Sequence, residues 1–165
     1  MESCMDSDVL EQRRRLISKF FMEFMAFDYA CKILGCYKER DGKITGIMWG
    51  KVKQRFNNDE FLSLDLNREE ADAKQYYLKK PPKTLMSDFS WKSLVKNNAN
   101  DIEFLIDCLV QVRNNLFHGS KCQMAGEEWI RNEELLKYGI TLIGILQKLD
   151  PDISVKIEEA LSSIY

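Results

Sequence analysis

The sequence predicts an all-α fold, a bundle of about five helices in which two are long. Three observations carry this expectation. Apolar residues return at three- and four-residue steps over long stretches, the period of one helical face. Capping residues and Gly or Pro stops punctuate those stretches. No segment reads as a strand. The chain has 165 residues, enough for one domain with a buried core. That domain is expected to span 1–165, with its core over about 8–150 and a short helical tail.

The first long helix is expected from about Asp8 to Tyr37. Leu10, Ile17, Phe20, Phe24, Phe27, Cys31 and Leu34 fall on one face, and Gly35 with the turn Arg40-Asp41-Gly42 marks its far end. Ile44, Ile47, Met48, Val52 and Phe56 suit a short helix between Lys43 and Phe56. Residues 57–66 read as a loop with a short turn. Asn67-Arg68-Glu69-Glu70 opens a helix that runs to Lys80, where Pro81-Pro82 stop it. Residues 81–98 read as an irregular connection, with Phe89, Trp91 and Leu94 as apolar anchors.

The clearest helix runs from Ala99 or Asn100 to His118. Ile102, Leu105, Leu109, Val112 and Leu116 form its stripe, Asn100-Asp101 can cap it, and Gly119 suits the residue after its end. A second long helix runs from Gly126-Glu127-Glu128 to Leu149 and ends at Asp150-Pro151. A last short helix covers Ile153 to Ile164. There is no internal repeat and no low-complexity tract.

Composition narrows the function. The formal net charge is −2, with 45% hydrophobic and 30% charged residues. A soluble globular protein fits these values, and any contact with nucleic acid must then use a local basic patch. The five cysteines are scattered, without a C-x-x-C pair, and there is a single histidine. A zinc site is therefore not expected, and the thiols read as buried or idle in a reducing cytoplasm. No metal, cofactor, signal peptide or membrane span is expected, and the expected location is cytoplasmic.

That histidine stands in Val112-Arg113-Asn114-Asn115-Leu116-Phe117-His118-Gly119. Histidine moves protons near neutral pH, and arginine is permanently charged and fits phosphate oxygens. Asn114 lies one helical turn before His118, so its amide can reach the imidazole and orient it. Arg113 lies about 140° around the helix from His118, within reach of a long side chain where the helix unwinds. Together they suggest chemistry at a phosphodiester. Cleavage of RNA without a metal needs a base for the 2′-hydroxyl, an acid for the leaving 5′-oxygen and a cation for the phosphorane. One histidine does not serve both sides of the phosphate, so a two-fold dimer supplying a second His118 and Arg113 belongs to this reading. The plainer reading also stands. Arg113 could satisfy helix-end carbonyls or pair with Asp107 or Glu103, and His118 could simply cap.

The motif resembles the Arg-(Asn/Asp/His)-x-x-x-His signature of the HEPN domain, an all-helical family rich in metal-independent endoribonucleases. Arg113, Asn114 and His118 match it residue by residue. The specific part covers about eight residues, and the helical pattern extends the likeness over 8–150. The resemblance implies a dimeric ribonuclease, with His118 as general acid and base, Arg113 as phosphate clamp and Asn114 as orienting residue. It implies RNA as the partner, and a toxin or anti-phage role with an antitoxin protein as a further partner. It also admits a non-catalytic module that binds nucleotides or protein.

Other features stand beside it. Lys121, three residues past His118, is a candidate phosphate contact. Arg13-Arg14-Arg15 reads either as a solvated face or as an RNA contact, with at most two of the three on one surface. Lys79-Lys80 with Tyr76 and Tyr77 reads either as a helix end over core tyrosines or as a strand-binding patch. Trp49, Trp91 and Trp129 read as core or interface residues.

Overall fold

The computed structural model describes residues 7–117 and 127–164. Helix α1 spans Ser7–Ile33 and is followed by strands β1 (Tyr37–Arg40) and β2 (Lys43–Ile47). Helices α2 (Trp49–Gln54), α3 (Asn58–Ser63) and α4 (Arg68–Lys79) come next, then strands β3 (Lys83–Leu85) and β4 (Trp91–Ser93). The chain closes with α5 (Asp101–Phe117), α6 (Glu127–Leu149) and α7 (Pro151–Ser162). The architecture is the expected all-α bundle, with two short antiparallel hairpins as appendages. Helix α1 packs on α6 and α7, and α6 also contacts α4 and α5.

One apolar cluster takes buried side chains from all seven of these helices, from Phe20 and Phe27 on α1 to Ile153 and Ile157 on α7. Gly139 permits the closest approach within it. A Cβ there would fall 2.6 Å from the Phe20 ring and 3.0 Å from the Tyr77 hydroxyl. Tyr77 is fully buried, and its hydroxyl donates to the Leu135 carbonyl at 2.6 Å. Buried phenols need such a partner.

Several boundaries differ from expectation. Helix α1 stops at Ile33 instead of Tyr37. Gly35 adopts φ 80°. Its N–H bonds the Lys32 carbonyl at 3.0 Å and that of Cys36 bonds the Cys31 carbonyl at 2.8 Å. This is the Schellman closure that a glycine after a helix makes possible. Asp41 and Gly42 then both take positive φ, 53° and 72°, and turn β1 back onto β2. Asp-Gly is a strong hairpin signal, and it makes Lys43–Ile47 a strand where a helix is expected. The short helix of that region is confined to Trp49–Gln54.

Residues 57–66 are not all loop. The Asn57 side chain accepts from the Asp59 and Glu60 N–H groups and starts α3. In 81–98, Met86 to Ser90 turns β3 into β4. Phe89 is not an anchor, since it is 83% exposed. Trp91 and Leu94 are half-buried as expected. The helix starts read from caps hold well. Asn67 and Glu70 form a reciprocal capping box on α4, and Asn100 and Glu103 do the same on α5. A last helix is present as expected, but α7 starts at Pro151, with Asp150 as its cap, rather than at Ile153.

Asp150 joins three elements. Its carboxylate caps α7 by accepting from the Asp152 and Ile153 N–H groups at 3.1 and 3.2 Å. It also accepts both arms of Arg55, from the end of α2, at 2.6 and 3.2 Å. Its side chain is nearly fully enclosed, so losing it removes a cap and leaves the partly buried Arg55 guanidinium with only the longer, exposed contact to Asp152 at 3.5 Å. Asp150→Ala is expected to lower unfolding free energy by about 3 kcal/mol, measured by urea denaturation. A loss below about 1 kcal/mol would mean the pair contributes no more than a surface ion pair.

Candidate functional site

Helix α5 brings the site to the surface. It is enclosed along most of its length, with Ile102, Phe104, Leu105, Ile106, Cys108, Leu109, Val112 and Asn115 buried. Among its residues only Arg113 and Phe117 are exposed. Four positions apart, they stand on one face one turn above the other.

The Arg113 guanidinium lies 4.9 Å from the centre of the Phe117 ring and 5.9 Å from that of Phe24 on α1. These are cation–π distances. Its Nη1 donates to Asn114 Oδ1 at 3.0 Å. Arginine has no acceptor, so the Asn114 amide oxygen must face it, and the amide NH2 points elsewhere. The two carboxylates that could have neutralised Arg113 are engaged otherwise. Asp107 is bound by Lys53 at 2.6 Å, and Glu103 turns back to the Asn100 N–H at 3.3 Å. Among the described residues no carboxylate pairs with Arg113, so its charge is held by aromatic faces and an amide and stays open to an anion.

Beside it, α1 and α5 form a groove of about 260 Å³. Phe20, Phe21 and Phe24 line one wall, Phe117 and Arg113 the other, and Lys32 stands at one end. Lys32 is tied to Asp28 at 2.5 Å. Phe21 and Phe117 meet edge to face at 5.8 Å across the groove, and Phe21, Met25 and Phe117 are all exposed. The groove mouth is thus an apolar patch with one uncompensated cation.

Asn115, inside the motif, went unread as a functional residue. It is 2% exposed. Its Oδ1 accepts from Gln111 Nε2 and its Nδ2 donates to the Lys83 carbonyl, both at 2.8 Å. It therefore fastens the β3–β4 hairpin to the helix that carries Arg113. An asparagine at a position on the apolar face was the available signal.

His118 and Lys121 lie outside the described residues, as do Cys4 and Cys122, so the structure places Arg113 and Asn114 of the motif. The other sequence candidates separate. Arg13 bonds Glu133 on α6 at 3.2 Å and Arg15 bonds Glu11 at 3.0 Å, so the triplet does not act as one patch. Tyr77 belongs to the core, while Tyr76 is half-buried under Lys80, whose Nζ lies 5.6 Å from its ring centre. Burial, together with a hydrogen bond to Glu134, raises the Tyr76 phenol above its ordinary range. Trp49 packs against Phe24 and Phe27; the Trp129 side chain is outside the described residues.

Cys31, Cys36 and Cys108 are buried free thiols. Burial raises all three above the usual thiol range, which makes them poor nucleophiles. Among the described residues no cluster of three His, Cys, Asp or Glu side chains could hold a metal ion, and no helix is long and apolar enough to cross a membrane. No protein-family model, curated protein or solved structure matches the chain.

Replacing Asn115 by leucine keeps the branched outline of the side chain but strands the Lys83 carbonyl. The expected cost is about 1–3 kcal/mol, with faster hydrogen exchange at residues 83–94 than elsewhere. Uniform exchange across the chain would show that Asn115 does not hold the hairpin.

Proposed function

We propose that the chain is a metal-independent endoribonuclease of HEPN type that works as a homodimer. The observation that carries this reading is Arg113. It is exposed with Phe117 on a largely enclosed helix, held by Phe24, Phe117 and Asn114, and unpaired with any described carboxylate. A structural arginine at a helix end is expected to meet a carboxylate or carbonyl. One left open beside a groove suits a phosphate.

In this reading Arg113 stabilises the charge that grows on the phosphorane oxygens. His118, next in sequence to Phe117, exchanges protons with the 2′-hydroxyl and the leaving 5′-oxygen, and Lys121 contacts a neighbouring phosphate. Asn114 orients the imidazole with the amide NH2 that Arg113 leaves free. No metal takes part. One histidine per chain makes the second subunit part of the site. The exposed Phe21, Met25 and Phe117 are the apolar surface on which two copies would meet, since exposed apolar patches of this kind mark association sites. A two-fold axis there sets two Arg113 side chains towards one cleft. The family resemblance extends the proposal to a cytoplasmic toxin or anti-phage component restrained by an antitoxin protein.

The groove also favours a second reading, a non-catalytic module that takes a nucleotide against the Phe117 and Phe21 rings with its phosphate on Arg113. Total RNA incubated with the protein in EDTA separates the two. The nuclease reading expects fragments ending in 2′,3′-cyclic phosphate, and losses of at least ~10²-fold in His118→Ala and Arg113→Ala. Intact RNA, or equal cleavage by His118→Ala, refutes it.

Met25→Asp tests the dimer. It places a charge in the apolar patch without touching the motif, and light scattering is expected to show monomers with cleavage reduced in step. A monomeric Met25→Asp protein that cuts at the wild-type rate would remove the second subunit from the mechanism.

A further inference from the structure

The β3–β4 hairpin has features that folding does not explain. Residues 79–96 hold five lysines and one aspartate in a chain whose formal net charge is −2. The base of the hairpin is fixed at three successive carbonyls. Arg131 Nη2 donates to Pro81 at 2.7 Å, the Leu94 N–H to Pro82 at 2.9 Å, and Asn115 Nδ2 to Lys83 at 2.8 Å.

The tip is a tight turn through Ser87, Asp88 and Phe89. The Met86 carbonyl accepts from the Phe89 N–H at 3.0 Å, and the Ser90 carbonyl accepts from the Met86 N–H at 2.8 Å. The Asp88 carboxylate accepts from the Ser90 N–H at 3.0 Å and from its hydroxyl at 2.6 Å. A three-residue turn of this kind ends on a left-handed residue, where glycine is preferred. Here that residue is Phe89, at φ 61°. A bulky side chain is strained in this region, and an exposed ring recovers nothing by burial. Phe89 therefore disfavours the fold through its backbone and gives no packing in return.

We propose that this hairpin is a single-stranded RNA-binding arm, in which Phe89 stacks on an unpaired base and Lys79, Lys80, Lys83 and Lys92 neutralise the flanking phosphates. The choice of RNA rests on the ribonuclease reading of the Arg113 site. Charge and an exposed ring together are what a stacked polyanion requires. Lysine is depleted from protein–protein interfaces, which sets a protein occupant behind RNA. Lys96 is left out because it is bound to Asp101. Asn115 and Arg113 are two residues apart, about 200° around α5, so the arm and the groove lie on opposite sides of the helix. A strand that touches both passes over its C-terminal end, where the motif finishes.

Phe89→Gly tests the arm, because glycine relaxes the turn and leaves the core alone. Its melting temperature is expected to be at least that of the wild type. The probe is a labelled single-stranded RNA of about 12 nucleotides with 2′-O-methyl riboses, which offer no nucleophile for cleavage, followed by fluorescence anisotropy. Phe89→Gly is expected to raise its Kd ~tenfold while leaving the affinity for the duplex of the same sequence little changed. Joint Lys79→Ala and Lys92→Ala substitution should reduce the slope of log K against log salt by about 1.4.

An unchanged single-strand Kd in Phe89→Gly overturns the proposal. So does tighter, Phe89-dependent binding of a polyglutamate peptide than of RNA, which would make the hairpin a protein-docking arm. The two readings fail separately. Phe89-dependent RNA binding by a protein that never cuts RNA keeps the arm and refutes the nuclease. RNA cleavage with Phe89-independent binding does the reverse.

Discussion

The enclosure of α5 is the constraint on which the rest of the structure depends. Its buried residues point in several directions around the helix axis, from Ile102 and Phe104 to Cys108 and Asn115, so neighbours must cover it on nearly every side. Helices α2, α3, α4 and α6 and strand β3 all contact it. A helix so surrounded cannot shift to suit a ligand without disturbing the core, because packed interiors transmit strain rather than absorb it. Whatever α5 exposes is therefore held in a fixed place. It exposes Arg113 and Phe117, and such rigidity is what a pre-set site requires.

Polar groups fix the periphery to that rigid centre. Asn115 ties β3 to α5, Asp150 ties α2 to the start of α7, and Glu70 caps α4 while pairing with Lys148 on α6. Each is buried and each has its partners, as a buried polar group requires. Glu70 shows the balance. Burial pushes its carboxyl up, but the Lys148 hydrogen bond and the Asn67 N–H outweigh burial and leave it below its usual range. Its stabilising effect is thus full above the ordinary glutamate pKa and lost as pH falls through its depressed value.

The long elements were legible because their signals repeat. The stripe Ile102, Leu105, Leu109 and Val112 is buried as its spacing implied, and Asn67 and Asn100 marked helix starts through the chemistry of capping. The short elements were not. Strands β1 and β2 have four and five residues, most of them exposed, and show no period-two apolar face. Apolar residues continue past Ile33 to Leu34 and Tyr37, which carried the expected helix beyond the glycine that ends it. Phe89 was read as an anchor because aromatic residues are commonly buried. Its left-handed backbone is set by the turn around it and has no mark in the local pattern. Within the candidate site, the motif singles out Arg113 and Asn114. Asn115 and Phe24 were not, since the role of each depends on a partner distant in sequence.

Departures from the rules of folding are informative when they cannot be explained by packing. Three occur on elements that touch α5 or belong to it. Arg113 is a charge without a described carboxylate. Phe21, Met25 and Phe117 are large apolar side chains left in solvent. Phe89 occupies a glycine position with its ring exposed. A single one would be ordinary, because isolated exposed apolar residues are common. Here the arginine, the apolar patch and the groove are contiguous, and the hairpin that carries Phe89 is hydrogen-bonded to the same helix. The patch and Phe89 leave apolar area and a strained turn in the free monomer, and each of the three features suits a contact with something else: an anion for the guanidinium, a second apolar surface for the patch, a flat ring for the phenylalanine. The RNA strand and two-fold interface proposed above would supply all three at once.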